Sequence, residues 1–452
     1  MQTVLNEKAI IKNILTDDFQ LFCEKIFNYK LQRFHDEIAF FILGREKALI
    51  NAPRGFGKST YFNTFYTIWR VIQNRNIRIA ILSNTDTQAR AFLRPISRYL
   101  KHSEELKTLF GSFYNNINTW TDNEIFVSGR TITEKEATIS TFGVQSDKVV
   151  GKHFDLIICD DIVDLENSRT ELQREKIKEW FYQVLMPTLM ENGEILIIGT
   201  RYNPQDLYQH LINHEYKENH IVFRAINTDE TGKEFSLWED RFPLEKLKQI
   251  RQEMGSILFS AQFQNDASLM KGNIFKPEWM QEYTDINWRS PEYELFQAVD
   301  LSTGEGTDYT VDITIAVDKK TQNIYVLDYY RGKVTFSVQV EKILDKYKTY
   351  KEKITYIGIE AVAYQKVMLQ HLNRINAYMP LKAIKTHKDK LSRFHSLSAL
   401  FEQRKVFVKP WMTELRDELL SAPNGANDDI VDALEMAVSL TGHTKIQPVK
   451  VI

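Results

Sequence analysis

Between residues 45 and about 210 the chain keeps returning to short runs that are apolar at consecutive positions: KALINA, IRIAILSN, FDLIICDD and GEILIIGT. A strand with one face in water alternates apolar and polar side chains, whereas a strand without that alternation has to be covered on both faces. Segments with 3.6-residue periodicity separate these runs, so the pattern predicts an α/β domain whose parallel sheet lies between helical layers. The runs also end in polar residues, and what stands at those ends carries the chemical reading.

The first run leads into ALINAPRGFGKST, residues 48 to 60. Its spacing is that of the phosphate-cradling pattern G-x-x-x-x-G-K-S/T, with Ala52 in place of the first glycine and Arg54 added inside the loop. Such a loop works because backbone N–H groups and a helix N-terminus point at an anion, while a lysine neutralises phosphate charge and a hydroxyl holds Mg2+. Gly55 and Gly57 supply the positive φ and close approach that this geometry requires. Ala52 is compatible with it if it ends the strand in an ordinary conformation. The expected nucleotide contacts are therefore Arg54, Gly55, Phe56, Gly57, Lys58, Ser59 and Thr60, with Ser59 also on the metal.

FDLIICDD is expected to form a strand beside the phosphate loop, with Asp160 holding the Mg2+ shell and Asp161 activating the attacking water. A buried strand capped by a solvated acidic turn has the same composition. GEILIIGTRYNP ends in Thr200 and Arg201, where a neighbouring strand would meet the γ-phosphate. Three strand ends of this kind together predict ATP hydrolysis with Mg2+. Arg54 either stabilises charge on the γ-phosphoryl group, as an arginine finger does, or reaches an acidic neighbour across the surface.

Residues 225 to 290 differ: FPLEKLKQIRQEMG reads as an amphipathic helix, and SAQFQNDASLMKGNIFKPEW has no clear periodicity, so the stretch is expected to be a lid and linker. Beyond it come three strand patterns, ELFQAVDLS, VDITIAVD and NIYVLDYY, the last two joined by the polar connection DKKTQN. A helix around 335 to 350, a strand TYIGIEAV and further alternation lead to a final helix near NDDIVDALEMAV. Three strands followed by αβαβα is the order of an RNase H-like sheet. The predicted organisation is an ATPase domain with a parallel sheet over 1–224, a lid over 225–290 and an RNase H-like nuclease domain over 291–452.

Carboxylates recur through that second half. Asp300 ends one strand, Asp308 precedes the next, Glu360 ends a fourth, and Asp428, Asp429 and Asp432 open the final helix, where i, i+3 and i, i+4 spacing sets two of them on one face. Converging carboxylates repel unless a cation lies between them. Two Mg2+ or Mn2+ ions about 3.5 to 4 Å apart can activate water and stabilise a leaving oxygen in phosphodiester hydrolysis. Asp300, Glu360 and Asp429 are the expected catalytic members, with Asp428 and Asp432 as further ligands; helix capping alone would also place an aspartate at 428. KAIKTHKDKLSRF supplies Lys382, Lys385, Lys388, Lys390 and Arg393, positive charge suited to a phosphate backbone or to a solvated helix face.

The bulk numbers set limits. The chain has 452 residues, 43% hydrophobic and 26% charged, an ordinary soluble composition sufficient for two or three cores. Its two cysteines, Cys23 and Cys159, form no C-x-x-C pair, so no disulfide framework or zinc site is expected and a reducing cytoplasm fits. The start MQTVLNEKAIIKN lacks the order of a signal peptide, and no apolar run nears the roughly 18 residues of a membrane helix. A net charge of −2 neither supports nor excludes a nucleic-acid partner.

Taken in order, RFHDEIAFFI, the 52–60 loop, AILSNTDTQA, GKHFDLIICDD, IIGTRYNPQDL, FSAQFQND, VDLS with DYT, IEAV, KDKLSRF and NDDIVDAL resemble the large terminase subunit of tailed bacteriophages over most of the chain. That resemblance implies an N-terminal ATPase that drives double-stranded DNA into a procapsid and a C-terminal nuclease that cuts the concatemer. It implies Lys58 and Ser59 on phosphate and metal, Asp160 on Mg2+, Asp161 as catalytic carboxylate, Thr200 and Arg201 in the coupling motif, and Asp300, Glu360 and the Asp428, Asp429, Asp432 group as ligands of two Mg2+ or Mn2+. Phe34 and His35 fall where the family has an aromatic-Gln pair near adenine. Asp161 stands where many members have Glu, Asn427 where a His is frequent, and Lys148 and Lys152 where a basic residue can reach a neighbour's ATP. The implied partners are DNA, the portal protein, the small terminase subunit and further copies in a ring on the procapsid, with no membrane, in the cytoplasm of an infected bacterium. A repair helicase-nuclease and a nucleotide-gated assembly protein are the competing readings.

Overall fold

Seven strands make the sheet of the first unit: β1 (Lys47–Asn51), β2 (Ile79–Ser83), β3 (Glu124–Ile125), β4 (Ile139–Gly143), β5 (Phe154–Asp160), β6 (Leu189–Gly199) and β7 (His220–Val222). The order is β3-β4-β2-β5-β6-β1-β7, and only the β3–β4 pair is antiparallel. The computed structural model describes residues 2–302, 309–360, 363–385, 389–425 and 427–442. It divides into two units, Met1–Leu247 with Ser260–Leu269, and Lys248–Phe259 with Met270–Ile452. The stretch from 225 to 290 contributes to both.

The apolar runs behave as two-sided cover demands. Leu49, Ala80, Leu82, Ile157, Cys159, Ile195 and Ile197 meet Trp180, Phe181, Leu207, Tyr208 and Leu211 on one face. Their neighbours Ile50, Ile79, Ile81, Ile158 and Ile198, which the strand period turns to the other face, are equally buried. At about 1.5–3 kcal/mol for each buried Leu or Ile, this sheet is held chiefly by burial. Both cysteines are buried and unpaired.

The end of the strand that carries Asp160 lies beside the phosphate loop, Asp161 being 4.0 Å from Lys58, while in the sheet β6, ending at Gly199, stands between β5 and β1. Registers Asp160↔Ile198 and Asn51↔Gly199 nevertheless level all three ends. β8 (Ile226–Thr228) and β9 (Glu234–Ser236) form a small antiparallel pair.

In the second unit β10 (Gln281–Glu282), β11 (Tyr293–Asp300), β12 (Thr310–Asp318), β13 (Ile324–Gly332), β14 (Ile354–Glu360), β15 (Leu381–Ile384) and β16 (Val406–Val408) are ordered β10-β16-β13-β12-β11-β14-β15. β11, β12 and β13 are antiparallel, and β14 and β15 run parallel to β11, the expected RNase H-like arrangement. The Asp318 carboxylate accepts the N–H groups of Lys320 and Thr321 and so forms the polar hairpin. The last helix, Asp429–Thr441, packs on β11 and β12 and is buried at nearly every position from Ile430 to Leu440.

Ser256–Phe263 is a helix, although SILFSAQF shows no helical periodicity. Ile257, Leu258, Phe259, Ala261 and Phe263 are all buried, so apolar residues occur on every side of it and no amphipathic stripe exists to be read. Among the described residues no helix is long and apolar enough to cross a membrane.

Candidate functional site

The loop begins where β1 ends. Asn51 donates to the Gly199 carbonyl at 3.1 Å and its side-chain oxygen lies 2.9 Å from His220 Nε2, tying the ends of β6, β1 and β7 together. Ala52 follows directly, fully buried, outside the left-handed region, with its N–H on Gly199 O. The missing first glycine is therefore not needed. Gly55 and Gly57 are, at φ 81° and 79°; a Cβ on Gly57 would lie 2.7 Å from the Tyr29 hydroxyl. Lys58 is buried, donates to Ala52 O at 2.9 Å and stands 4.0 Å from Asp161 Oδ2. Its ammonium thus rests on the carbonyl of the residue that replaces the first glycine.

Aromatic rings form the floor. Phe56 stacks on Phe242 with centroids 4.8 Å apart, and Trp238 meets both Phe56 and His35. His35 Nδ1 accepts the Gln32 N–H at 3.2 Å, which leaves Nε2 to donate to Phe56 O at 3.3 Å. Burial pushes this imidazole down to about 4, so it is neutral at pH 7. The expected adenine contact at His35 is corrected accordingly: the ring is 1% exposed, both nitrogens are engaged by backbone, and it buttresses the loop from behind.

After the loop the chain winds as a π-helix over Thr60–Tyr66 and continues as an α-helix over Thr67–Gln73. Thr60 is exposed at the start of this turn. Asn63, wholly buried, donates to Asp160 Oδ2 at 2.6 Å. Burial, and next the charge of Asp161, push the Asp160 carboxyl up to about 7, while Ser59, Lys58 and Asn63 draw it down. Asp160 Oδ1 and Asn63 Oδ1 are buried without a hydrogen-bond partner among the described residues. Two orphaned oxygens beside the Ser59 hydroxyl are a hard donor set that fits a hydrated Mg2+. Asn63 is a residue the sequence reading missed, since only the wound turn brings it to β5.

Asp161 takes φ 47° and its Oδ1 accepts the Thr200 N–H at 3.0 Å, linking the ends of β5 and β6. Thr200 therefore joins the site. Arg201 does not, which corrects its expected place: its guanidinium lies on Asp206 at 3.3 Å and Gln209 at 2.9 Å, fastening β6 to the helix Leu207–Asn213. Asp206 is the N-cap of that helix, and its buried carboxylate needs a cation. Arg54 is exposed and pairs with no acid among the described residues; its N–H and Nη1 donate to the main chain and side chain of Gln262, both at 3.0 Å. Gln264 bonds both the N–H and C=O of Ile226, and Asn265 bonds Phe223 O, so QFQND laces the loop to the chain after β7.

In the second unit Asp300 ends β11 beside the start of the final helix. Burial comes first, then the charges of Asp432, Glu360 and Asp429, in pushing its carboxyl up to about 7. Asp428 Oδ1 lies 2.7 Å from Lys390 Nζ, which also contacts Asp432 Oδ2, and Arg393 holds Asp432 Oδ1 at 3.0 Å and Glu435 at 2.9 Å. Asp429 faces Arg331 at 3.7 Å, which also holds Glu418 at 3.2 Å. Asp308 lies outside the described residues. Among those described, no three metal-binding side chains stand close enough to hold an ion. The crowding around Asp300 is nonetheless the repulsion that a divalent cation relieves, and all donors are hard oxygens.

Residues 297–440 match the family described as Terminase RNaseH-like domain. The large terminase subunit of Enterobacteria phage T3 is 25% identical over 172 residues, covering 37% of this chain and 28% of that protein's length. The large terminase of a thermophilic bacteriophage superposes with a TM-score of 0.57 at 11% identity, over 91% of this chain and 99% of that one. The same phage protein in complex with ATP-gamma-S gives 0.56 at 13% identity over 90% and 98%. The family match lies within the second unit, and the likeness to these solved structures extends the shared fold over about nine-tenths of the chain.

Within the matched residues 297–440 the basic residues expected on a phosphate backbone divide. Lys390 and Arg393 are spent on carboxylates, Lys382 lies 4.4 Å above the Tyr356 ring, Lys385 is exposed, and Lys388 lies outside the described residues. In the first unit Lys152 pairs with Glu124 at 2.6 Å, whereas Lys148 is exposed and 4.0 Å from Asp86.

Proposed function

We propose that this chain is a viral DNA-packaging motor: ATP hydrolysis in the first unit drives double-stranded DNA into a procapsid, and the second unit is a metal-dependent endonuclease that cuts the concatemer. The observation that carries the reading is the levelled set of strand ends, with the glycine loop, Asp160–Asp161 and Thr200 together in one unit, in a chain whose other unit carries the match to the Terminase RNaseH-like domain family.

In this reading the backbone from Arg54 to Thr60 cradles the phosphates, and Lys58 exchanges Ala52 O for a phosphate oxygen. Ser59 and Asp160 hold Mg2+, which when bound neutralises charge on the phosphates. Asp161, held by the Thr200 N–H, orients the attacking water and takes up its proton. Arg54 swings from Gln262 to the γ-phosphoryl group. In the second unit Asp300, Glu360 and Asp429, with Asp428 and Asp432, would hold up to two Mg2+ or Mn2+, which would activate water and stabilise a leaving oxygen.

The partners of this reading are the portal protein, the small terminase subunit and further copies of the chain in a ring, acting in the host cytoplasm and transiently on the procapsid, with no membrane component. DNase protection tests it: procapsids supplied with the chain, DNA and ATP yield protected DNA, and Lys58→Ala yields none. Protection without ATP, or with Lys58→Ala, would refute the motor.

A further inference from the structure

Lys390 opens the helix Lys390–Glu402, whose cap is Asp389, the carboxylate of which accepts the Ser392 N–H at 2.9 Å. A lysine in a first helical turn meets the positive end of the helix dipole and gains nothing there. Here it turns onto the acids instead, 2.7 Å from Asp428 Oδ1 and in contact with Asp432 Oδ2. Asp428 occupies the N-cap position of the final helix but makes no side-chain capping bond; Glu418 accepts the Ile430 N–H at 2.8 Å, and the Asp428 carboxylate is engaged by Lys390. Asp428 and Asp432 are one turn apart, so a single cation spans both. The lysine side chain is 32% exposed and has a way out to water, whereas Arg393, at 14%, is fixed by Asp432 and Glu435.

We propose that Lys390 is a resident counter-cation of the carboxylate cluster, displaced from Asp428 and Asp432 when a divalent metal ion binds, so that it sets the metal concentration at which the domain can cut. The inference rests on the reading of the cluster as a metal site. It is an exchange of one cation for another, with no covalent step. Asp428 and Asp432 cannot serve the ammonium and a metal ion at full strength together, because positive charges a few ångströms apart repel strongly at a partly buried site. Through this competition the cluster stays closed at low metal concentration, which suits a nuclease that must not cut while DNA is moving.

The test uses the full-length chain without nucleotide at low salt. Mn2+ binding is followed by electron paramagnetic resonance, and the part that depends on Asp300 is obtained against Asp300→Asn. Lys390→Gln is expected to tighten that part about tenfold, the scale for removing a neighbouring charge in a partly screened site, and Lys390→Arg to leave it near the wild-type value. In the wild-type protein Mn2+ is expected to raise the acylation rate of Lys390, read by mass spectrometry, relative to other lysines; this readout also decides the matter if Lys390→Gln does not fold. Unchanged or weaker Asp300-dependent binding in folded Lys390→Gln, or protection of Lys390 by Mn2+, overturns the proposal while leaving the metal site standing. Absence of any Asp300-dependent Mn2+ binding overturns both.

Discussion

Around the loop a buried lysine faces two carboxylates, Asp160 and Asp161, and its ammonium is parked on a carbonyl. Around Asp300 the acids predominate, and Lys390, Arg393 and Arg331 hold them apart. Asp160 and Asp300 are both pushed up to about 7, yet by different routes: for Asp160 burial and one neighbouring acid, for Asp300 burial and three. In the proposed function the first site receives an anion that brings its own metal, and its groups are held in place by Asn63, Thr200 and His35. In the same proposal the second receives metal ions, and protein cations hold its carboxylates in their place. Preorganisation in one case and substitution in the other lead to different responses to mutation.

The largest expected effect tests preorganisation directly. Asp161→Asn keeps the Thr200 contact but loses the base, so ATP turnover should fall by about 10²- to 10³-fold while ATP binding, followed by fluorescence of a labelled analogue, stays within a few-fold. Asn63→Ala removes the donor on Asp160 without touching nucleotide; a 10- to 100-fold rise in the Mg2+ concentration needed for turnover is expected, on the scale of lost outer-shell contacts. If Asn63→Ala leaves that requirement unchanged, the orphaned oxygens have nothing to do with metal. Gln264→Ala strips two bonds from Ile226 and should cost about 1–2 kcal/mol in thermal unfolding, with little change in plasmid cutting.

The smallest effect concerns a buried acid that belongs to neither site. Asp312 accepts from Gln297 and lies near Lys346, and burial first of all pushes it up to about 6 despite that ammonium. Its folded value is above the unfolded one, so the native chain holds a proton that the unfolded chain has lost. Its contribution therefore favours folding at low pH and declines as pH rises from about 4 to 6. Asp312→Asn should flatten the stability slope over that window, measured by denaturant titration; an unchanged slope would place the effect elsewhere.

Much of this was legible in the chain. Consecutive apolar residues require two-sided cover, and that requirement made the first sheet legible; the parallel registers then bring Asn51, Asp160 and Thr200 to one edge. Gly55 and Gly57 were legible because no other residue takes φ near 80° without strain. Side chains that choose between two directions were not. Arg201 adjoins Thr200 in sequence, but a long guanidinium follows the buried acid that needs it, here Asp206. His35 could have pointed toward a ligand; its two backbone partners decided otherwise. Asn63 depends on a π-helical turn that TYFNTFY does not announce, and Lys390 reads as a surface cation until the final helix presents Asp428 and Asp432 one turn apart.

The central claim is that the two sites are chemically separate machines in one chain. ATP turnover and Mn2+-dependent plasmid cutting, measured on the same preparations of Lys58→Ala and Asp300→Asn, test it most directly. The account predicts a crossed result, with Lys58→Ala losing turnover and keeping cutting, and Asp300→Asn keeping turnover and losing cutting. Loss of both activities in either variant, each with a native circular dichroism spectrum, would contradict it.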